Sequence, residues 1–155
     1  MIMVCCLDNE SYSSPIIIFC SDEDEARKYI KNLCEEEGYS IKWEEDNRCY
    51  ADKIGDDFGV EDDHYWCVFK YFEVTGDYIL LYYHVYDGVD FEIVGNFETY
   101  HKARDAMIMD TFDHYSDCQE DQRIFEWLDQ ETACIDNGNE WEVWRIVKVL
   151  TEVEG

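Results

Sequence analysis

The chain has 155 residues, and its 38 acidic and 12 basic side chains give a formal net charge of −26. This charge argues against direct binding to DNA, RNA or an anionic membrane, because those partners require a basic surface. Apolar residues make up 46% of the sequence and aromatic residues 16%, so we expect a packed core rather than a disordered chain.

The N-terminus has no basic segment before its apolar residues and reaches Asp8 at once, so it does not resemble a signal peptide. No run of about 18 apolar residues predicts a membrane span. These features favour a cytoplasmic location. The eight cysteines are then expected to be reduced and buried, although their even number leaves a disulfide framework as an alternative.

The first half of the chain predicts four strands around one helix. The helix begins at a Ser21 cap, continues through an apolar stripe at helical spacing and ends before Gly38, which suits the position after a helix. The strands are predicted at residues 1–8, 16–20, 48–54 and 64–74, with an acidic loop at 55–63.

The second half shows the same order of elements. An Asp-Gly pair at residues 87–88 indicates a hairpin turn, and Thr99 can cap the helix that follows. The apolar spacing of residues 120–130 predicts a second helical stretch. The strands are predicted at residues 78–86, 90–97, 132–136 and 140–150.

Two short matches indicate an internal repeat. Ala26 and Arg27 match Ala103 and Arg104 at a spacing of 77 residues, and the Trp66 segment matches the Trp141 segment at a spacing of 75. The alternative is that any two β-rich segments look alike. We predict an α+β fold of two tandem ββαββ units, residues 1–76 and 77–155, packed as one two-layer domain with helices on antiparallel sheet.

The acidic residues are spread evenly, because residues 1–77 and 78–155 each carry a formal charge of −13. They are densest between residues 35 and 63, where 12 acidic and 3 basic side chains occur. A surface that serves solubility alone normally intersperses both signs of charge. We therefore predict a binding surface for a basic protein, with salt-sensitive association. Its predicted residues are Glu35, Glu36, Glu37, Glu44, Glu45, Asp46, Asp56, Asp57, Glu61, Asp62 and Asp63.

In its composition the chain resembles the DNA-mimic inhibitors of phages and mobile elements, namely the anti-CRISPR and antirestriction proteins. The resemblance covers the charge of the whole chain and no family-specific motif, so it assigns no functional residue. It implies an inhibitor in the host-cell cytoplasm that occupies the basic nucleic-acid-binding groove of a defence nuclease. The alternatives are an immunity protein that neutralises a nuclease toxin, and a small metal-binding regulator or enzyme.

Metal binding and catalysis have weaker signals. His114 and Cys118 lie four residues apart and could share a helical face for zinc, but two more ligands would have to come from elsewhere, such as Cys134 or His101. The acidic loops lack the EF-hand spacing for calcium. No nucleophile elbow, phosphate-binding loop or dinucleotide motif occurs. We predict no metal, no cofactor and no enzymatic activity.

The strand at residues 64–74 carries bulky side chains on both faces. Alternation places Trp66 and Val68 on one face and Phe69 and Tyr71 on the other. The helix can cover only one of them, so homodimerisation through the other face is a further hypothesis. Size-exclusion chromatography with light scattering tests it, and a monomer at micromolar concentration would contradict it.

Overall fold

The structure, a computed structural model, describes residues 1–9, 15–54, 64–86, 88–117, 124–136 and 140–149. The chain divides into two compact units, unit 1 (Met1–Glu73) and unit 2 (Val74–Gly155). The sequence placed this boundary between residues 76 and 77.

The described residues of unit 1 form a five-stranded antiparallel sheet with one helix. The sheet has the order β2-β1-β5-β4-β3, so the last strand of the unit lies in the centre and pairs with the first. Its elements are β1 (Ile2–Asp8), β2 (Ile16–Cys20), α1 (Glu23–Glu37), β3 (Ser40–Glu45), β4 (Arg48–Ile54) and β5 (His64–Glu73).

Unit 2 repeats this topology. Its order, β7-β6-β10-β9-β8, is that of unit 1 when the strands are counted within each unit, and all of its pairs are antiparallel. Its elements are β6 (Tyr78–Val85), β7 (Val89–Phe97), α2 (Tyr100–Asp117), β8 (Ile124–Leu128), β9 (Thr132–Asp136) and β10 (Trp141–Lys148). The predicted α+β class with antiparallel sheet is confirmed.

The predicted ββαββ unit is wrong by one strand, because each unit is ββαβββ. The missing strand is β3 in unit 1 and β8 in unit 2. In β3 only Ile41 and Trp43 alternate inward between polar or charged neighbours, and two such residues are a weak signal for a strand. The sequence IFEWL of β8 was predicted as helix, but periodicity does not separate helix from strand in so short an apolar run. Pairing with β9 makes it a strand.

Helix α1 has well-defined ends. Asp22, not Ser21, is the N-cap, and its Oδ1 accepts a hydrogen bond from the Glu25 N–H at 2.8 Å. Ser21 instead donates its backbone N–H to the Glu25 carboxylate at 3.1 Å. Gly38 ends the helix in the left-handed conformation with φ of 78°, as predicted, and the N–H of Tyr39 closes the turn on the Cys34 carbonyl at 2.8 Å.

Each helix lies on one face of its sheet and buries an alanine there. Ala26 and Ala103 are both inaccessible to solvent, and Ile30 and Met107 follow one turn later with the same burial. The facing side chains come from alternate residues of the strands, as predicted for Phe69 and its neighbours in β5. A small residue at the point of closest approach lets the helix pack directly on the sheet.

The arginine of each Ala-Arg match binds a hairpin turn of its own unit. Arg27 donates from Nη1 to the main-chain oxygen of Asp46, in the turn between β3 and β4, at 2.6 Å. Arg104 donates from Nη1 to the main-chain oxygen of Asp129, in the turn between β8 and β9. The residues that carry the sequence repeat therefore make the same helix-to-turn contact in both units.

Candidate functional site

Unit 1 holds two of the predicted acidic runs at opposite ends of β3. Residues 35–37 form the last turn of α1, next to the beginning of β3. Residues 44–46 lie at the end of β3 and in the following turn. All six side chains are exposed. At about 3.3 Å per strand residue, the four residues 40–43 put about 13 Å of strand between the two runs, so they are not one continuous patch.

The remaining predicted partner-binding residues lie outside the described part of the chain. They are Asp56, Asp57, Glu61, Asp62 and Asp63.

The run at residues 35–37 lies where the helix itself disfavours negative charge. A helix C-terminus carries a partial negative charge, so each carboxylate there costs about 0.3–1 kcal/mol when no cation compensates. The last turn of α1 has no basic residue. Lys53 donates from Nζ to the Glu37 main-chain oxygen at 2.9 Å and lies 4.0 Å from the Glu37 carboxylate, so it compensates part of the charge at this helix end. Within the described ranges neither Glu35 nor Glu36 has an ion pair, and their carboxylates face solvent.

The run at residues 44–46 adjoins the acidic first turn of α1. The Tyr71 hydroxyl lies 2.6 Å from Glu23 Oε1 and 2.8 Å from the Asp46 main-chain oxygen, and it accepts from Arg27 at 3.3 Å. Burial, with the nearby Glu23 carboxylate, raises the pKa of Tyr71. The hydroxyl thus stays neutral and links the N-terminus of α1 to the β3–β4 turn.

A groove with one cationic wall lies between the two acidic runs, and the sequence did not predict it. Its volume is about 710 Å³. The helix contributes three cations and one carboxylate, whereas the strand side contributes apolar and aromatic side chains. The lining residues are Arg27, Lys28, Lys31, Glu35, Tyr39, Ile41 and Trp43.

Arg27 is fixed in this groove, but the two lysines are not. The Arg27 guanidinium lies over the Trp43 ring, 4.0 Å from its centroid, in addition to its bonds to Asp46 and Tyr71. Lys28 and Lys31 are exposed, and neither forms an ion pair with any described residue. With more than three acids for each base in the chain, unpaired lysines on one wall are unexpected.

Two sequence signals could have revealed the groove. The cations at residues 27, 28 and 31 have the i, i+1, i+4 spacing of one helical face. Residues 39, 41 and 43 alternate as the inward face of a strand. The cation spacing was readable on the predicted helix, but the facing wall was not, because the segment after Gly38 was not recognised as strand.

Unit 2 has a polar network where α2 crosses β6 and β10. Glu142 Oε1 accepts from the Tyr82 hydroxyl at 2.7 Å and lies 2.8 Å from His114 Nδ1. Asp110 accepts from the Trp144 indole at 2.7 Å and lies 3.8 Å from His114 Nε2. Burial, reinforced by Glu142, raises the pKa of Tyr82, so it remains a hydrogen-bond donor. These contacts tie the helix to the sheet.

The zinc hypothesis places His114 beside Cys118, and Cys118 lies outside the described residues. His114 itself contacts two carboxylates, and no group of three or more His, Cys, Asp or Glu side chains within the described ranges is arranged to bind a metal. None of the seven described cysteines is in a disulfide, and all seven are buried, as predicted. Burial raises the pKa of the Cys49 thiol to about 12, which suppresses its reactivity.

Comparisons of the chain with protein families, curated proteins and solved structures give no match. Neither described helix is long and apolar enough to cross a membrane.

Proposed function

We propose that this protein is an acidic inhibitor that binds the basic nucleic-acid-binding groove of a host-defence nuclease by DNA mimicry, and that it acts as an anti-CRISPR protein in the host cytoplasm. The observation that carries the proposal is the run at residues 35–37, whose exposed carboxylates occupy the end of α1 where the helix disfavours them. Acidic residues that lower the stability of the helix end favour a role in binding a partner rather than in stabilising the fold.

A nuclease groove would supply the missing cations. The net charge of −26 gives long-range attraction to a basic surface and fast association. The runs at residues 35–37 and 44–46 would then form the short-range contacts. Such binding weakens with added salt, because exposed charges are screened over about 8 Å at physiological ionic strength.

The test measures binding to a purified RNA-guided effector nuclease, and then to a restriction endonuclease, together with inhibition of DNA cleavage. We expect competition with duplex DNA and an affinity that falls more than about tenfold between about 50 and about 300 mM salt. An affinity for these nucleases that does not change with salt would contradict mimicry, and so would simultaneous binding of inhibitor and DNA.

A charge-matched pair of variants tests the residues. Replacing Glu35, Glu36 and Glu37 with Gln is expected to weaken binding about tenfold. The control replaces three exposed acids of unit 2 (Glu92→Gln, Glu98→Gln and Asp105→Asn) and is expected to change binding about twofold or less. Equal losses in both variants would show that total charge, and not the residue 35–37 run, determines affinity.

A further inference from the structure

The groove between α1 and β3 points to a second interaction surface of opposite charge. We propose that a short, extended and acidic peptide segment of a partner protein binds there as an added strand on β3, with alternate carboxylates facing α1. This goes beyond the proposed inhibitor function, which rests on the acidic runs at the two ends of the groove, where Glu35 is the one residue of those runs that also lines it.

The sheet edge provides the first part of the argument. Among the described strands β3 pairs only with β4, so its outer N–H and C=O groups are available to another strand. An extended peptide laid along such an edge gains main-chain hydrogen bonds, and its alternate side chains fall on one face. On the helix side of β3, that face meets the groove with its wall of α1 residues.

The spacing of the cations provides the second part. Arg27 and Lys31 are four residues apart, about 6 Å along the helix axis. Carboxylates two residues apart in a strand are about 6.6 Å apart. Lys28 and Lys31 have no ion pair among the described residues, and Arg27 keeps unused donors beyond Nη1. A segment with acids at alternating positions would pair with them.

The acidic runs at both ends of the groove select a peptide over a nucleic acid. Residues 35–37 and 44–46 border the cations, so a phosphate chain continuing past the groove would meet carboxylates. A segment of about six residues fits within the roughly 20 Å of β3. A second copy of β3 is disfavoured, since Lys42, Glu44 and Glu45 place charges on the edge strand.

The test is fluorescence anisotropy of the full chain with a labelled peptide of alternating glutamate and valine, about six residues long. We expect saturable binding, and at least about tenfold weaker binding of a peptide with the same composition but consecutive glutamates, because only alternation places the acids on one face. Hydrogen exchange should show new protection of β3 amides on binding.

Charge-matched variants locate the site. Lys28→Glu with Lys31→Glu is expected to weaken peptide binding at least about tenfold. Lys102→Glu with Lys148→Glu makes the same charge change at exposed lysines of unit 2 and should alter it about twofold or less. Equal losses in the two variants would overturn the proposal. It would also be overturned by no binding, by tighter binding of oligothymidylate of similar length, or by dimerisation through β3 in light scattering.

Discussion

Cys6 and Cys67 in unit 1 occupy the positions that Tyr82 and Glu142 occupy in unit 2. Cys6 pairs with Phe69 across the sheet, and Tyr82 pairs in the same way with Trp144. In unit 1 Cys6 and Cys67 both lie in the buried core under α1. In unit 2 the same site holds the hydrogen bond from the Tyr82 hydroxyl to the Glu142 carboxylate.

Solvent access explains why the same topology accommodates two thiols in unit 1 and a charged hydrogen-bonded pair in unit 2. The Glu142 side chain is 15% exposed, and its carboxylate has two partners, so its charge is not isolated. Cys67 is 4% exposed and has no comparable opening. The shared topology therefore fixes which positions face the helix, whereas local access to water decides whether thiols or a charged network fills them.

The exposed surfaces of α1 and α2 also differ, although their contacts with the hairpin turns are the same. Arg27 and Arg104 bind equivalent turns, but the positions of Lys28 and Lys31 correspond to Asp105 and Ile108 in α2. The cations that line the groove in unit 1 are thus not required by the fold. This comparison supports a binding role for the lysines and a structural role for the arginine.

The largest expected effect comes from the central aromatic of each core. Phe69→Ala and Trp144→Ala remove equivalent side chains that are 1% and 0% exposed, and each should lower the free energy of unfolding by about 3–5 kcal/mol. Trp144→Ala should cost more, because it also breaks the indole bond to Asp110. Urea unfolding at constant ionic strength measures both.

Phe112→Ala, at a half-exposed site, is the control and should change stability by about 0.5 kcal/mol or less. A smaller loss for Trp144→Ala than for Phe69→Ala would contradict the role given to the network.

The second effect is a difference between the cysteine-containing core of unit 1 and the core of unit 2 in how stability depends on pH. Burial raises the pKa of Cys49 to about 12, whereas an unfolded thiol ionises near pH 8.5. Above about pH 8.5 the unfolded chain therefore loses this proton and the folded chain keeps it, so stability falls with pH by up to about 1.4 kcal/mol per unit. Cys49→Ala, which installs the residue found at Ala133 in unit 2, should reduce this slope between about pH 8.5 and 10.

Val4→Ala is the matched control for that slope. Val4 is buried in the same core but does not titrate, so its truncation should lower stability equally at every pH. An unchanged slope in Cys49→Ala would show that the Cys49 thiol does not resist ionisation in the folded chain.

The smallest effect concerns the arginines that bind the turns. Arg104→Ala removes the bond to the Asp129 carbonyl and should cost about 1 kcal/mol. Arg27→Ala should cost about 0.5–1 kcal/mol more, since Arg27 also lies over the Trp43 ring. Thermal unfolding at fixed salt compares the stability of the two Arg→Ala variants. Arg→Lys at each position tests whether a positive charge alone maintains the stability. If Arg104→Ala proved the more destabilising, the added contacts of Arg27 would contribute nothing.

Much of the fold was predictable because its signals are local. The stripe of α1, the left-handed Gly38 and the alternation of β5 and β10 depend on neighbours in sequence. The strands β3 and β8 were missed because their short segments carry no clear strand pattern and become strand only by pairing with β4 and β9.

By itself, the sequence determined the acidity, its even distribution, and an α+β repeat marked by Ala26 with Arg27 and Ala103 with Arg104. Only the tertiary structure decided that residues 35–37 and 44–46 lie at opposite ends of one strand, with a cationic groove between them. The physical reason is the reversal of the chain at Gly38, which lays β3 back along α1. That reversal sets the cations of α1 opposite the apolar and aromatic side chains of residues 39–43, and a charge count along the sequence does not contain that arrangement.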